Sequence, residues 1–158
     1  MRKIYWLDAD VYIQASNGPY KRVPQFWAFL TEQLKLGNIR SPKIVYDEVS
    51  AGNDEVAKWF APRKGEGLCV SASPAVQTDY GKIADYVFEK FKPYQAEEFL
   101  RGGDGWVIAH AMDSRGKVVT QESLRKVEAK IKVPTICKAL SVPCINTYDL
   151  LDELKFKS

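Results

Sequence analysis

The chain has 158 residues, 46% hydrophobic and 27% charged, the balance of an ordinary globular domain, which excludes a fibrous or disordered protein. A net charge of +3, from 23 basic and 20 acidic residues, permits a polyanionic partner without requiring one. At this length a single domain over residues 1–158 is expected, burying roughly two-thirds of the surface its unfolded chain would expose. No window approaches about 18 uninterrupted apolar residues, and the N-terminus reaches Asp8 before a signal-peptide core could form. No membrane span and a cytoplasmic location are therefore expected. Cys69, Cys137 and Cys144 lack Cys-x-x-Cys spacing and lie among apolar neighbours, which favours reduced, packed thiols over disulfides or a zinc site.

Residues 4–7 form a short apolar run ended by Asp8 and read as a buried strand. Ser16-Asn17-Gly18-Pro19 reads as a turn-rich segment. Phe26, Trp27, Phe29, Leu30, Leu34 and Leu36 then mark an amphipathic helix closed by Gly37-Asn38, and Ile39-Arg40 is a very short strand. Ser41-Pro42 predicts a helix start, with serine as N-cap and proline at the first helical position, and the helix runs to Gly52. Asn53-Asp54 caps another through Trp59 and Phe60, residues 68–71 read as a strand, and Pro74 opens a helical stretch through Phe91. Gly102-Gly103 breaks the chain, Asp104 starts a helix through Met112, and Gly116 leads into a strand over residues 117–120. A polar, basic loop follows. Pro134 begins a helix through Leu140, residues 143–146 are a last short strand, and Thr147 caps a helix ending near Leu154. Alternating strands and helices imply right-handed crossovers, hence a three-layer α/β/α domain around a parallel sheet of four to five short strands.

Certain acids stand where the pattern calls for apolar residues. Each residue of an α-helix turns about 100° from the last, so positions three and four apart share a face. In the helix from Pro42, Glu48 lies between Ile44 and Val45 on the apolar arc, while Asp47 sits with Lys43 and Ser50 on the polar side. In the helix from Asp104, the apolar residues are Val107, Ile108, Ala111 and Met112, with Asp104 along the same arc and His110 and Asp113 pointing away. An inward carboxylate costs several kcal/mol unless it is paired or coordinates a cation. Asp8 ends the first strand and Glu122 lies just past a later one, at the carboxyl ends where open parallel sheets bind ligands. Four carboxylates in one crevice are best reconciled by one or two hard divalent cations, magnesium or manganese. Taken singly, each acid also has a plain alternative: Asp104 as an N-cap, Glu48 paired with a core arginine, Asp8 ending its strand in a turn, Glu122 solvated in a loop. Asp10 either touches a second metal or caps the next segment.

These residues resemble a known family. Leu7-Asp8-Ala9-Asp10-Val11-Tyr12-Ile13 resembles the opening motif of PIN domains, an aspartate followed by a small hydroxyl residue, an asparagine and apolar residues. Tyr46-Asp47-Glu48-Val49 after Ser41-Pro42 looks like their second motif, Gly103-Asp104-Gly105-Trp106-Val107-Ile108-Ala109 is similar to the third, and Val118-Val119-Thr120-Gln121-Glu122 to the fourth. Ala9 replaces the usual hydroxyl residue, and Glu122 stands where aspartate is common. The segment from Val133-Pro134 to Leu151 further resembles a bacterial and archaeal PIN-like subfamily without an assigned function. The resemblance implies a metal-dependent endoribonuclease with RNA as substrate, often the toxin of a VapC-style toxin-antitoxin pair, with an antitoxin protein as partner and a homodimer left open.

On that reading Asp8, Glu48, Asp104 and Glu122 are the catalytic residues. Asp8 and Asp104 hold magnesium or manganese, Glu122 binds it directly or through water, and Glu48 orients the metal or its water. Arg125, Lys126, Lys130 and Lys132 either hold the nucleic-acid backbone or form a solvated basic loop. Trp106 is expected to pack in the core or on a neighbouring chain rather than to stack on bases. Two rivals stand: a haloacid-dehalogenase-like phosphatase, whose motifs occur in a different order, and a PIN-like binding module without turnover.

Overall fold

A computed structural model of the protein describes residues 3–17, 23–123 and 130–156. Its centre is a parallel sheet of four short strands, β1 (Tyr5–Leu7), β2 (Ile39–Arg40), β3 (Lys117–Val119) and β4 (Cys144–Ile145), in the order β2-β1-β3-β4. The two middle strands are almost wholly buried, from Tyr5 to Leu7 and at Val118 and Val119, so they read as continuous apolar runs rather than as alternating ones. Helices flank the sheet, which makes the fold α/β with a parallel core.

The first helix departs from the sequence reading. Residues 9–15 carry no assigned element there, yet α1 (Ala9–Asn17) runs directly from β1 and buries Val11, Tyr12, Ala15 and Ser16, a stripe at helical spacing. Ser16 and Asn17, expected in a turn, finish this helix, and Gly18-Pro19 of that turn lie outside the described residues. α2 (Pro24–Leu36) ends as predicted at Gly37, whose left-handed backbone turns its amide back onto the helix's last carbonyls.

α3 (Lys43–Ser50) starts where expected but not by the expected cap. Its N-cap is Pro42, and the Ser41 hydroxyl donates instead to the Leu7 carbonyl at 2.8 Å. That spends its one proton, so the Tyr12 hydroxyl 2.7 Å away is the donor to Ser41 Oγ. Ser41 thus ties the end of β1 to the start of α3 through two buried bonds. α4 (Glu55–Phe60) is capped by Asp54, which accepts from the Ala57 amide at 3.0 Å, and a 3-10 helix over Ala61–Glu66 follows. Residues 68–71 form no sheet strand; Val70 makes one parallel bridge with Pro42. The reason is local: α3 begins at Lys43, one residue past the bridging Pro42, so the chain leaves the extended conformation before a ladder can grow.

α5 (Pro74–Lys90) is capped by Ser73, and a further helix, α6 (Pro93–Arg101), precedes α7 (Asp104–Ser114) where only a chain break was foreseen. The rings of Tyr80 in α5 and Trp106 in α7 stack at 3.9 Å with 10° between planes, so Trp106 packs within the chain. α7 touches β1, β3, α5, α6 and α8 (Val133–Ala139), leaving little of its circumference for water. That explains His110, which the helical phase placed outward. The structure buries it to 3% exposure and stacks it on Trp6 with centroids 4.5 Å apart. Burial lowers its pKa to about 4, so it is neutral. The last helix, α9 (Thr147–Glu153), is capped by Asn146 rather than Thr147. It is tied to the sheet through Glu153, which accepts from the Tyr5 hydroxyl at 2.9 Å and from Lys117 at 2.6 Å. The three cysteines are free thiols, Cys137 buried and the others partly so. No helix among the described residues is long and apolar enough to cross a membrane.

Candidate functional site

Chain connections leave the central pair of strands in opposite directions, β1 toward β2 on one side and β3 toward β4 on the other. The crevice outside the carboxyl ends of β1 and β3 is therefore the switch point of the sheet, where α/β folds bind ligands. Asp8 follows β1 directly, its amide bonded to the Val119 carbonyl at 3.0 Å, and Thr120 follows β3. Both are buried, at 4% and 1% exposure.

Thr120 organises the acids. Its hydroxyl stands 3.3 Å from Asp8 Oδ2 and 3.2 Å from Asp10 Oδ2, and it accepts from the Glu122 amide at 3.2 Å. Having one proton, it satisfies one carboxylate at a time. Asp10, in the first turn of α1, also takes the Gln121 amide at 3.2 Å, and Asp8 takes the Ala9 amide at 2.8 Å. Glu122 is pinned by the Val133 amide at 2.8 Å, with Lys130 Nζ 3.7 Å from its other oxygen. One oxygen each from Asp8, Asp10 and Glu122 fall within 4.8 Å of one another.

Asp104 opens α7 beside this group. Burial first, then the Glu122 charge, push its carboxyl up to about 7, while Lys130 pulls it down. Asp8 lies well above the usual carboxylate range, again through burial, then Asp104 and Asp10. Asp10 is raised by burial against the lowering pull of the Gln121 amide. Glu48 is different. It is exposed at the rim, with its carboxylate turned toward the Gly102-Gly103 backbone, so that a Cβ placed on Gly102 would meet Glu48 Oε1 at 3.3 Å. Partial burial raises its carboxyl, and the Gly103 amide opposes the shift. Glu48 acts on Asp104 but lies outside the cluster of three. Lys132 is the N-cap of α8, and Arg125 and Lys126 fall outside the described residues.

Asp10 is the residue that sequence reasoning undervalued. The signal was the apolar stripe of α1: once that helix is seen, its first turn faces the strand ends. Thr120 was seen only as part of a motif, and its bonds to two carboxylates depend on the pairing of β1 with β3.

The donors suit a hard divalent cation. They are all carboxylate oxygens, mutually repelling and largely buried, and a small cation binds such ligands at about 2.0–2.1 Å, which modest side-chain rotation from a 4.8 Å span would allow. Repulsion in the metal-free protein has a consequence in pH. A carboxyl raised from 3.8 to about 7 stabilises the fold while protonated and loses that contribution as pH rises through about 7. In EDTA, Asp104→Asn should therefore gain on wild type in melting temperature between pH 5 and pH 8. A constant gap would show that Asp104 is not held in this buried, acidic environment.

Comparison with known proteins supports the fold. The fold is PIN-like: a chain in the crystal structure of VapBC2 from Rickettsia felis bound to a DNA fragment from their promoter superposes with a TM-score of 0.58 at 14% identity, covering 90% of this chain and 98% of the other. A chain in the structure of FitAB bound to an IR36 DNA fragment gives a TM-score of 0.54 at 17% identity, covering 90% and 94%. The chain belongs to the family described as domain of unknown function DUF4411, whose profile matches residues 5–158. No curated protein sequence matches significantly.

Proposed function

We propose that the protein is a metal-dependent endoribonuclease that cuts RNA phosphodiester bonds in the cytoplasm, as a single domain over residues 1–158, and is the toxin of a toxin-antitoxin pair. The observation that carries this reading is the convergence of Asp8, Asp10 and Glu122 in the switch-point crevice, with Asp104 beside them. Asp8, Asp104 and Glu122 would hold magnesium or manganese, and Asp10, whose carboxylate lies within 4.8 Å of those of Asp8 and Glu122, would join that set. When bound, such an ion lowers the pKa of an attached water and offsets charge on the phosphate.

The chain's own groups do the rest. Thr120 and the Gln121 and Val133 amides fix the carboxylates, so little is lost to reorganisation when the ion arrives. Glu48, at the rim, would orient a water or the ion rather than hold it. A cleft of about 190 Å³ between Phe99, Gly102, Asp104, Lys130 and Ile131 adjoins the crevice at Asp104. Lys130 at its wall would offer a cation for a phosphate, and Lys132, with Arg125 and Lys126 from outside the described residues, would share that role. The fold shared with VapBC2 and FitAB supports a protein antitoxin as partner.

Purified protein incubated with end-labelled single-stranded RNA tests the reading. Internal cleavage with manganese and none in EDTA is expected. Release of phosphate from p-nitrophenyl phosphate without RNA cleavage would favour the phosphatase rival, and no turnover despite manganese binding the binding-module rival.

A further inference from the structure

A second cleft, of about 610 Å³, lies at the open edge of β2. Its walls come from three places: the end of α2 (Lys35), β2 itself (Arg40) and the 3-10 helix (Lys64). Lys35 and Lys64 are exposed and Arg40 half-buried, and none of the three forms an ion pair with an acid among the described residues. The one acid in the wall, Glu66, is turned to Arg63, 3.8 Å away. Gly37, Gly65 and Gly67 also line the cleft, so its floor carries backbone without side chains to hold a ligand off.

Three cations spread over three elements match a repeated negative charge better than one compact anion. The position is also informative: β2 pairs with β1, Arg40 opposite Trp6, which sets the Arg40 backbone roughly 8 Å from that of Asp8, one strand spacing across and two residues along. We infer that this cleft binds the sugar-phosphate backbone of single-stranded RNA, as a docking site separate from the carboxylate crevice. The inference rests on the nuclease reading above, from which it takes the choice of RNA as the polyanion. Phosphate contacts of this kind fix the strand's position and carry no sequence information.

Binding of a fluorescein-labelled 20-nucleotide RNA, followed by anisotropy in EDTA across a sodium chloride series, tests it. Each phosphate contact on a single strand contributes about −0.7 to the slope of log K against log salt. The triple variant Lys35→Gln/Arg40→Gln/Lys64→Gln should therefore flatten the slope by about 2, and Lys35→Gln/Lys64→Gln, which touches only exposed side chains, by about 1.4. Lys82→Gln/Lys90→Gln on α5 should leave it unchanged. A wild-type slope in both cleft variants, from protein that cleaves RNA with manganese, would overturn the docking site alone. Failure of the wild type to bind or cleave RNA would overturn the nuclease reading and this inference with it.

Discussion

Asp8→Asn is expected to abolish RNA cleavage while leaving the metal-free protein at least as stable as wild type. The two outcomes have one cause. Asp8 is buried, and its carboxylate is opposed by Asp104 and Asp10, so its negative charge is costly in the folded protein until a cation offsets it. Asparagine has nearly the same shape and can keep an oxygen toward the Ala9 amide, 2.8 Å from Oδ1 in the wild type. Packing survives and repulsion falls. Melting temperature in EDTA at pH 8 should hold or rise, and the gain at pH 5 should be smaller, because there a larger part of the wild-type carboxyl is already protonated. Losing the charge weakens the ligand set for a hard cation. Altering even the outer partners of metal ligands costs about 10–100-fold in affinity or activity, so a loss beyond about 100-fold is expected for Asp8 itself. The stabilisation that manganese gives should shrink in parallel. Wild-type cleavage together with an undiminished manganese-dependent shift would remove Asp8 from the site and the nuclease reading with it.

The largest effect on stability is expected from Gly116→Ala. A Cβ there would lie 2.2 Å from the Ile4 carbonyl oxygen and 3.0 Å from Ser114 Oγ, and the first contact is with backbone that cannot swing aside. The same Ile4 oxygen accepts the Lys117 amide at 3.0 Å, at the base of the pairing between β1 and β3. Nor can Gly116 retreat easily, since its own amide closes the end of α7 on the Ala111 carbonyl at 2.9 Å. One methyl group thus forces a choice between the sheet and the helix cap. Overpacking of this kind costs about 3 kcal/mol, a large part of the 5–15 kcal/mol that holds a typical domain together. For a chain of this size that corresponds to a fall in Tm of roughly 6–12 °C. An unchanged Tm would mean that β1 and β3 do not approach as closely here as described.

How far the sequence discloses this arrangement depends on what each feature requires. Strand ends were legible because a short apolar run followed by an acid is a local signal, and it pointed to Asp8 and Glu122 without any knowledge of pairing. α6 was missed because its buried residues, Ala96 and Phe99, are too few to make a stripe. α1 was hidden by the turn-forming residues at its end, and with it went the orientation of Asp10. Helical phase erred at His110. It faced that residue outward, although α7 is covered on nearly all sides. The error concerns what other elements cover, which no periodicity within one helix can report. The cleft at the edge of β2 was invisible for the same reason, since Lys35, Arg40 and Lys64 belong to three elements.

The bonds of Thr120 to Asp8 and Asp10 span 112 and 110 residues. A ribosome adding about 5–20 residues each second has the first acid exposed for several seconds before the threonine that organises it exists. Parallel pairing between such distant segments is also slow to form, because the loop must close before any contact rewards it. On the proposed function, then, a nascent chain is harmless to the RNA being translated. Activity begins only when β3 inserts beside β1, which gives a binding partner an interval in which to meet the protein before it can cut.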